Sequence, residues 1–185
     1  MAYYFKLSKT EKQRQPHSLS PPTNMKNHDF KVLLLYIKAL QLPVTFRFSH
    51  EWQSFATPTT IHSFDHTGLR LSNQALIETN ELKAIILSFI NRNQRQHYIN
   101  AFSNWLFPNR SFFHQHTIMF EYLRTNHHKI TSLSINEQEL FPPLPYQSIH
   151  HVGNSTVFLT YEIDQAFYLE IVSLGDITSF KSTHI

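Results

Sequence analysis

Thirteen histidines in 185 residues are where this chain carries the most potential chemistry. His62 and His66 stand four apart with Asp65 between them, His114 and His116 stand two apart, and His127-His128 and His150-His151 are adjacent pairs. Histidines at alternate positions of a strand point to one face, as two ligands of a metal must, so His62, His114 and His116 define a metal-hydrolase reading. Such a site also needs outer partners that orient its ligands, and no His-Glu-x-x-His spacing supplies a second signal. The histidines accompany many Asn and Gln residues, so compositional bias explains them more simply, and the sequence assigns no metal.

Other reactive classes are closed off by composition. Cysteine is absent, which removes thiol catalysis, disulfides and thiolate zinc sites. Only three glycines are present, so there is neither a Gly-x-Ser-x-Gly elbow nor a glycine-rich phosphate loop. Glu51, Glu137 and Glu139 read as solvated acids. No cluster has the composition of an active site, and the chain reads as a non-enzyme without a cofactor.

Cations interleaved with aromatics give a second chemistry. Arg92, Arg95, His97 and Tyr98 precede Phe102 and Trp105, and Arg110 precedes Phe112, Phe113 and His114. Aromatic platforms beside cations hold single-stranded nucleic acid, so Arg92, Arg95, Tyr98 and Arg110 are its candidate residues. Against this, the aromatics fall where core periodicity already needs them, and a net charge of +3 with pI near 9.1 points only weakly to a polyanion.

These residues need elements to position them. Hydrophobic residues make up 41 % of the chain and phenylalanines number sixteen, enough to build one packed domain. Residues 1–26 run through basic residues into Ser-Leu-Ser-Pro-Pro without periodicity, which predicts a flexible basic tail before a single domain over 27–185. The N-terminus lacks the apolar core of a secretory signal, and no segment reaches the ~20 apolar residues of a membrane span, so the expected location is the cytoplasm.

Phe30, Leu33, Leu34, Ile37 and Leu40 recur at helical spacing before Pro43, with Asn27 or Asp29 as cap, predicting a helix over 29–41, although the run 32–37 also fits a buried strand. Residues 44–48 alternate as a strand, and Trp52 and Phe55 lie in a loop expected to fold back onto the core. Two further strands, 60–64 and 69–72, flank a turn at Gly68, and the three together predict an antiparallel meander. Residues 75–90 and 98–107 fit helix and strand equally. Residues 112–122 alternate as a strand, and 128–141 read as an amphipathic helix stopped by Pro142-Pro143. Residues 156–163 and 166–172 alternate around Asp164-Gln165 as a hairpin.

The Gly68-Leu69-Arg70-Leu71 step, Leu76 with the apolar run 82–90, and residues 117–123 leading toward 130–140 resemble the PilZ domain over about residues 43–140. The resemblance implies a small bacterial β-barrel with a C-terminal helix, of a kind many members of which bind cyclic di-GMP. Ligand-binding members carry Asp/Asn-x-Ser-x-x-Gly before this step; counting back from Gly68, Asp65 fills the Ser position and Ser63 the Asp/Asn position. They also carry an Arg-x-x-x-Arg pair, whereas Arg47 stands alone here. The ligand set that the resemblance implies is therefore Arg47, Ser63, Asp65, Gly68 and Arg70, with a carboxylate where two phosphates would lie.

The expected fold is α+β: an antiparallel barrel-like sheet over 43–141, an N-terminal helix, a helix near 128–141, and a C-terminal hairpin extension over 146–174. The expected function is a regulatory or adaptor protein that presents its sheet face or hairpin edge to a protein partner.

Overall fold

A computed structural model describes residues 2–6, 28–48, 58–65, 68–78, 82–106, 115–135, 138–139, 147–153 and 155–184. Among them the chain is mixed α+β, with three helices and antiparallel sheets. The strands are β1 (Ala2–Lys6), β2 (Thr45–Phe48), β3 (Ile61–Asp65), β4 (Gly68–Leu71), β5 (Leu76–Ile77), β6 (Leu82–Phe89), β7 (His128–Ile135), β8 (Gln138–Glu139), β9 (Gln147–Val152), β10 (Thr156–Ile163), β11 (Ala166–Ser173) and β12 (Ile177–His184). The helices are α1 (His28–Ala39), α2 (Arg92–Leu106) and α3 (Gln115–Thr125). None is long and apolar enough to cross a membrane.

The large sheet has nine strands in the order β1-β12-β7-β9-β10-β11-β6-β2, with β8 beside β7; β3, β4 and β5 form a separate small sheet. The path is open, so the expected closed barrel is replaced by a sheet with edges at β1 and β2. β7 and β9 share only the pairs Lys129 with Ser148 and Ile130 with Gln147. At this short junction the sheet can bend, and its two halves contribute to one core: Ile130, Leu133, Ile177 and Phe180 pack with Val157, Leu159 and Val172 around Phe120 and Leu123 of α3. The opposite face of β6, β10 and β11 carries Ile85, Leu87, Phe89, Phe158, Leu169 and Ile171, which pack on α1, α2 and the small sheet. The central strands are thus buried on both sides, which is why residues 82–89 show no alternation.

The helix expected over 29–41 is α1, ending in a Schellman motif: Leu42 N–H donates to Ile37 O and Gln41 N–H to Lys38 O, with Gln41 left-handed at φ 54° before Pro43. Asp29 does not cap it; its carboxylate accepts from Ser155 N–H and Oγ and from Thr156 Oγ1, fastening α1 to the start of β10. The strand at 44–48 and those at 60–64 and 69–72 are present as β2, β3 and β4, but β2 joins the large sheet, so the three do not form one meander. The hairpin is also present, and Asp164 (φ 49°) and Gln165 (φ 66°) adopt the left-handed φ that a type I′ turn demands.

Three expectations are corrected. Residues 115–125 are helix, not strand: buried Thr117, Phe120 and Leu123 recur every three residues while Ile118 and Tyr122 lie exposed, so polarity and burial are out of phase. Residues 128–135 are strand, not helix: a bulge at Thr131 leaves Ile130 and Leu133 on one face three residues apart, which imitates helical spacing. The hairpin is not an extension, because β10 lies between β9 and β11, and β11 lies between β10 and β6. In addition, residues 2–6 of the expected tail are β1, paired with β12. Residues 7–26, Trp52, Phe55 and the turn at 108–111 lie outside the described residues.

Candidate functional site

A fully buried carboxylate lies inside the large sheet on β11. Along β11 the sequence Tyr-Leu-Glu-Ile-Val sets a carboxylate in an apolar run, and Glu170 is 0 % exposed. Register places Arg47 of β2 opposite Ala84 of β6, and Ala84 opposite Val172 of β11. The small Ala84 side chain lets Arg47 reach diagonally across β6. Its Nε donates to Glu170 Oε1 at 2.5 Å and its Nη2 to Oε2 at 3.3 Å. Tyr161 Oη on β10 donates to Glu170 Oε2 at 3.1 Å. Burial opposes the charge on Arg47, yet Glu170 and then Tyr161 outweigh it and raise its affinity for the proton. Burial, reinforced by Glu170, pushes the Tyr161 phenol far above its ordinary range, so it stays a neutral donor.

The same face carries a further polar row. Tyr161 pairs with Tyr168, their rings stacked at 5.1 Å and 11°, and Tyr168 pairs with Ser88. The register that pairs Thr160 with Ser148 sets Gln147 beside Tyr161. Gln147 is buried, and neither its amide nitrogen nor its oxygen has a hydrogen-bond partner; Thr117 Oγ1 on α3, the helix that packs on β9, is likewise unpartnered.

The residues suggested by the PilZ resemblance do not gather around this charge. Ser63, Asp65, Gly68 and Arg70 are on β3 and β4, in the small sheet, with Ser63 opposite Arg70 and Asp65 opposite Gly68. Arg70 is exposed, whereas Arg47 belongs to the other sheet and is committed to Glu170. Gly68 has φ +143°, and a Cβ there would lie 2.5 Å from Ile77 O, so its role is to let β5 approach β4 closely.

The nucleic-acid candidates are largely used by the fold. Asn91 Oδ1 caps α2 by accepting from Gln94 N–H at 2.7 Å, and Arg95, Ile99, Phe102 and Leu106 form its buried stripe. Arg95 Nη1 donates to Tyr161 O at 3.1 Å and Tyr168 O at 3.4 Å, using the second lone pairs of carbonyls in the β10–β11 ladder. Burial, helped by repulsion from Arg92 and countered by Glu162, holds Arg95 below its ordinary basicity. Arg92 is exposed but pairs with Glu162 at 2.8 Å, and both guanidinium groups lie over the Phe167 ring. Tyr98 stacks on Phe89 at 5.2 Å. Arg110 lies outside the described residues.

His62 is exposed on β3, the position of His116 falls within α3, and His66 and His114 lie outside the described residues. Among the described residues no three His, Cys, Asp or Glu side chains gather as a metal site. Glu170, Tyr161 and Gln147 are the residues that sequence reasoning passed over. The signal for Glu170 was present, a lone carboxylate inside a run apolar on both strand faces. No protein-family model, curated protein or solved structure matches the chain.

Proposed function

We propose that the chain is a non-enzymatic bacterial regulatory or adaptor protein with a degenerate PilZ-like domain, which binds a protein partner in place of cyclic di-GMP. The observation that carries this reading is the fate of Arg47. A dinucleotide with two phosphates needs paired guanidinium groups. Arg47 instead spends its fork on the fully buried Glu170, and Arg70 faces solvent on a different sheet. Support for a protein partner comes from the outer surface of α1 and α2. Leu35 is exposed on α1 and Leu40 just past its end, and Trp105, 55 % exposed on α2, lies with its ring centroid 4.4 Å from that of Tyr36. Exposed tryptophan beside aliphatic side chains is typical of surfaces that bury a partner. The β10–β11 hairpin, interior to its sheet, offers no edge for strand addition.

Calorimetry tests the nucleotide half: cyclic di-GMP should give no saturable heat. Micromolar binding weakened by Arg70→Ala would overturn the reading, and the exposed Arg70 tolerates that substitution without loss of the fold. For the partner half, a photocrosslinker placed at position 105 in cells should yield a discrete protein adduct that the same group at exposed Glu78 does not. Equal labelling from both positions would remove the support for a specific surface.

A further inference from the structure

A file of aromatic rings runs from the core to the outer surface of α1 and α2. Phe89 stacks on Tyr98 at 5.2 Å, Tyr98 meets Phe102 at 6.0 Å, Phe102 meets Tyr36 edge to face at 5.6 Å, and Tyr36 lies 4.4 Å from Trp105. Phe89 and Phe102 are buried, Tyr98 and Tyr36 are half-buried, and Trp105 is exposed, so the file surfaces at the C-terminal end of α2. Beside Tyr36, α1 sets Lys31, Leu35 and Lys38 at i, i+4 and i+7, which is one face of a helix. Lys31 and Leu35 are exposed and Lys38 is half-buried. The two lysines thus flank an exposed leucine, about 10 Å apart along the axis. Neither is ion-paired among the described residues. These helices hold no acid to answer them, because Asp29 is committed to Ser155 and Thr156 and α2 contains no Asp or Glu.

We propose that this surface binds an acidic amphipathic helix of a protein partner. The partner's apolar stripe covers Trp105, Tyr36 and Leu35, and two of its carboxylates, two turns apart, pair with Lys31 and Lys38. The assignment rests on the reading that the α1–α2 surface receives a protein, and it names that protein's chemistry. An aromatic centre with charge at its rim is the usual make-up of an interface, and rim charges choose the partner by complementarity. A second copy of the chain docking through the same face would set these lysines against themselves, which like charge opposes. A lipid surface takes apolar side chains that project into the headgroups, whereas the Trp105 ring lies back against Tyr36.

The probe is a fluorescein-labelled peptide of about 18 residues, long enough for helix in water, with Leu and Phe at helical spacing and Glu residues seven apart on the flank. Anisotropy titration of the full chain should give saturable micromolar binding that weakens with salt. Affinity should exceed that of a scrambled isomer, and of the same peptide with Lys in place of Glu, by about tenfold or more. Trp105→Ala, and Lys31→Gln with Lys38→Gln, should each lower it at least about fivefold, with unchanged circular dichroism because all three side chains reach the surface. Absence of saturable binding, equal binding of the control peptides, or wild-type affinity in both variants overturns the proposal. Stronger binding to phosphatidylglycerol vesicles or to oligothymidylate than to the peptide overturns it too. A discrete crosslink from position 105 alongside failure of the peptide would keep the partner surface and refute only this assignment of its chemistry.

Discussion

The Arg47–Glu170 pair should behave as a buried ion pair whose halves cannot be removed separately. Arg47→Met retains the chain that crosses Ala84 but leaves Glu170, 0 % exposed, with only the Tyr161 hydroxyl. Removing one partner of a buried pair costs about 3–5 kcal/mol, because the remaining charge stays desolvated. Glu170→Met should cost less on the charge side, since Arg47 is 11 % exposed on the edge strand β2 and can turn outward. It also strips the Tyr161 hydroxyl of its acceptor, adding about 1–3 kcal/mol. The double variant removes the buried charge altogether and should lose less than the sum of the singles by about 2–3 kcal/mol, with Tyr161→Phe added to it recovering more. Urea unfolding of wild type, both singles and the double gives the cycle from midpoints at a common slope. Additivity within about 0.5 kcal/mol would mean that the two groups do not feel each other and would refute the placement of Arg47 across β6.

Gly68→Ala should destabilise by about 2 kcal/mol or more in urea unfolding, because the new Cβ meets the Ile77 carbonyl at 2.5 Å in a backbone conformation with φ +143°; a loss under about 0.5 kcal/mol would show that the β4–β5 contact yields freely. Arg95→Met should cost about 2 kcal/mol by removing buried hydrogen bonds from a charged donor to two hairpin carbonyls, whereas Arg92→Ala, exposed in its pair with Glu162, should change stability by less than about 0.5 kcal/mol; the reverse order would restore Arg95 as a surface cation. His150 is held below the ordinary histidine range by burial and then by Arg95, and His128 by burial and then by His184, so the unfolded chain binds more protons than the native one. Stability should be complete above pH about 6.5 and decline as pH falls below it. In the variant with both His150→Gln and His128→Gln, the slope of unfolding free energy against pH between 5 and 7 should flatten, and an unchanged slope would assign it to other groups.

Where residue chemistry and burial agree, the sequence was a sufficient guide. Helix α1 keeps Phe30, Leu33, Leu34 and Ile37 of its apolar stripe inside and ends before Pro43, while Leu40 lies exposed, and the hairpin needs two left-handed residues that Asp164 and Gln165 supply. It failed where a polar residue takes an interior position. Arg95 begins the buried stripe of α2, so the period starts on a residue that reads as surface, while exposed Trp105 reads as core. Thr117 does the same to α3, and the bulge at Thr131 converts a strand's period of two into a helix-like three.

The candidate site failed to show itself for the same reason. Arg92 and Arg95 read as contacts for nucleic acid because they stand among aromatics, and Arg47 reads as a phosphate contact only through the PilZ resemblance, but an aromatic neighbourhood is equally what a guanidinium meets when it closes a sheet. Arg95 uses its Nη1 on the hairpin carbonyls beside Phe167, and Arg47 uses its fork on Glu170 across β6. Sequence alone does not distinguish these uses, since the partners are 66 and 123 residues away. The distinction lies in strand register: a shift of one residue in β2 would turn Arg47 into the apolar layer of Phe46 and Ile85 and leave Glu170 uncompensated. The ion pair therefore helps select the register of an edge strand that, among the described residues, pairs with β6 and, through Val44, with Thr59. Residues that serve register in this way are unavailable to a ligand.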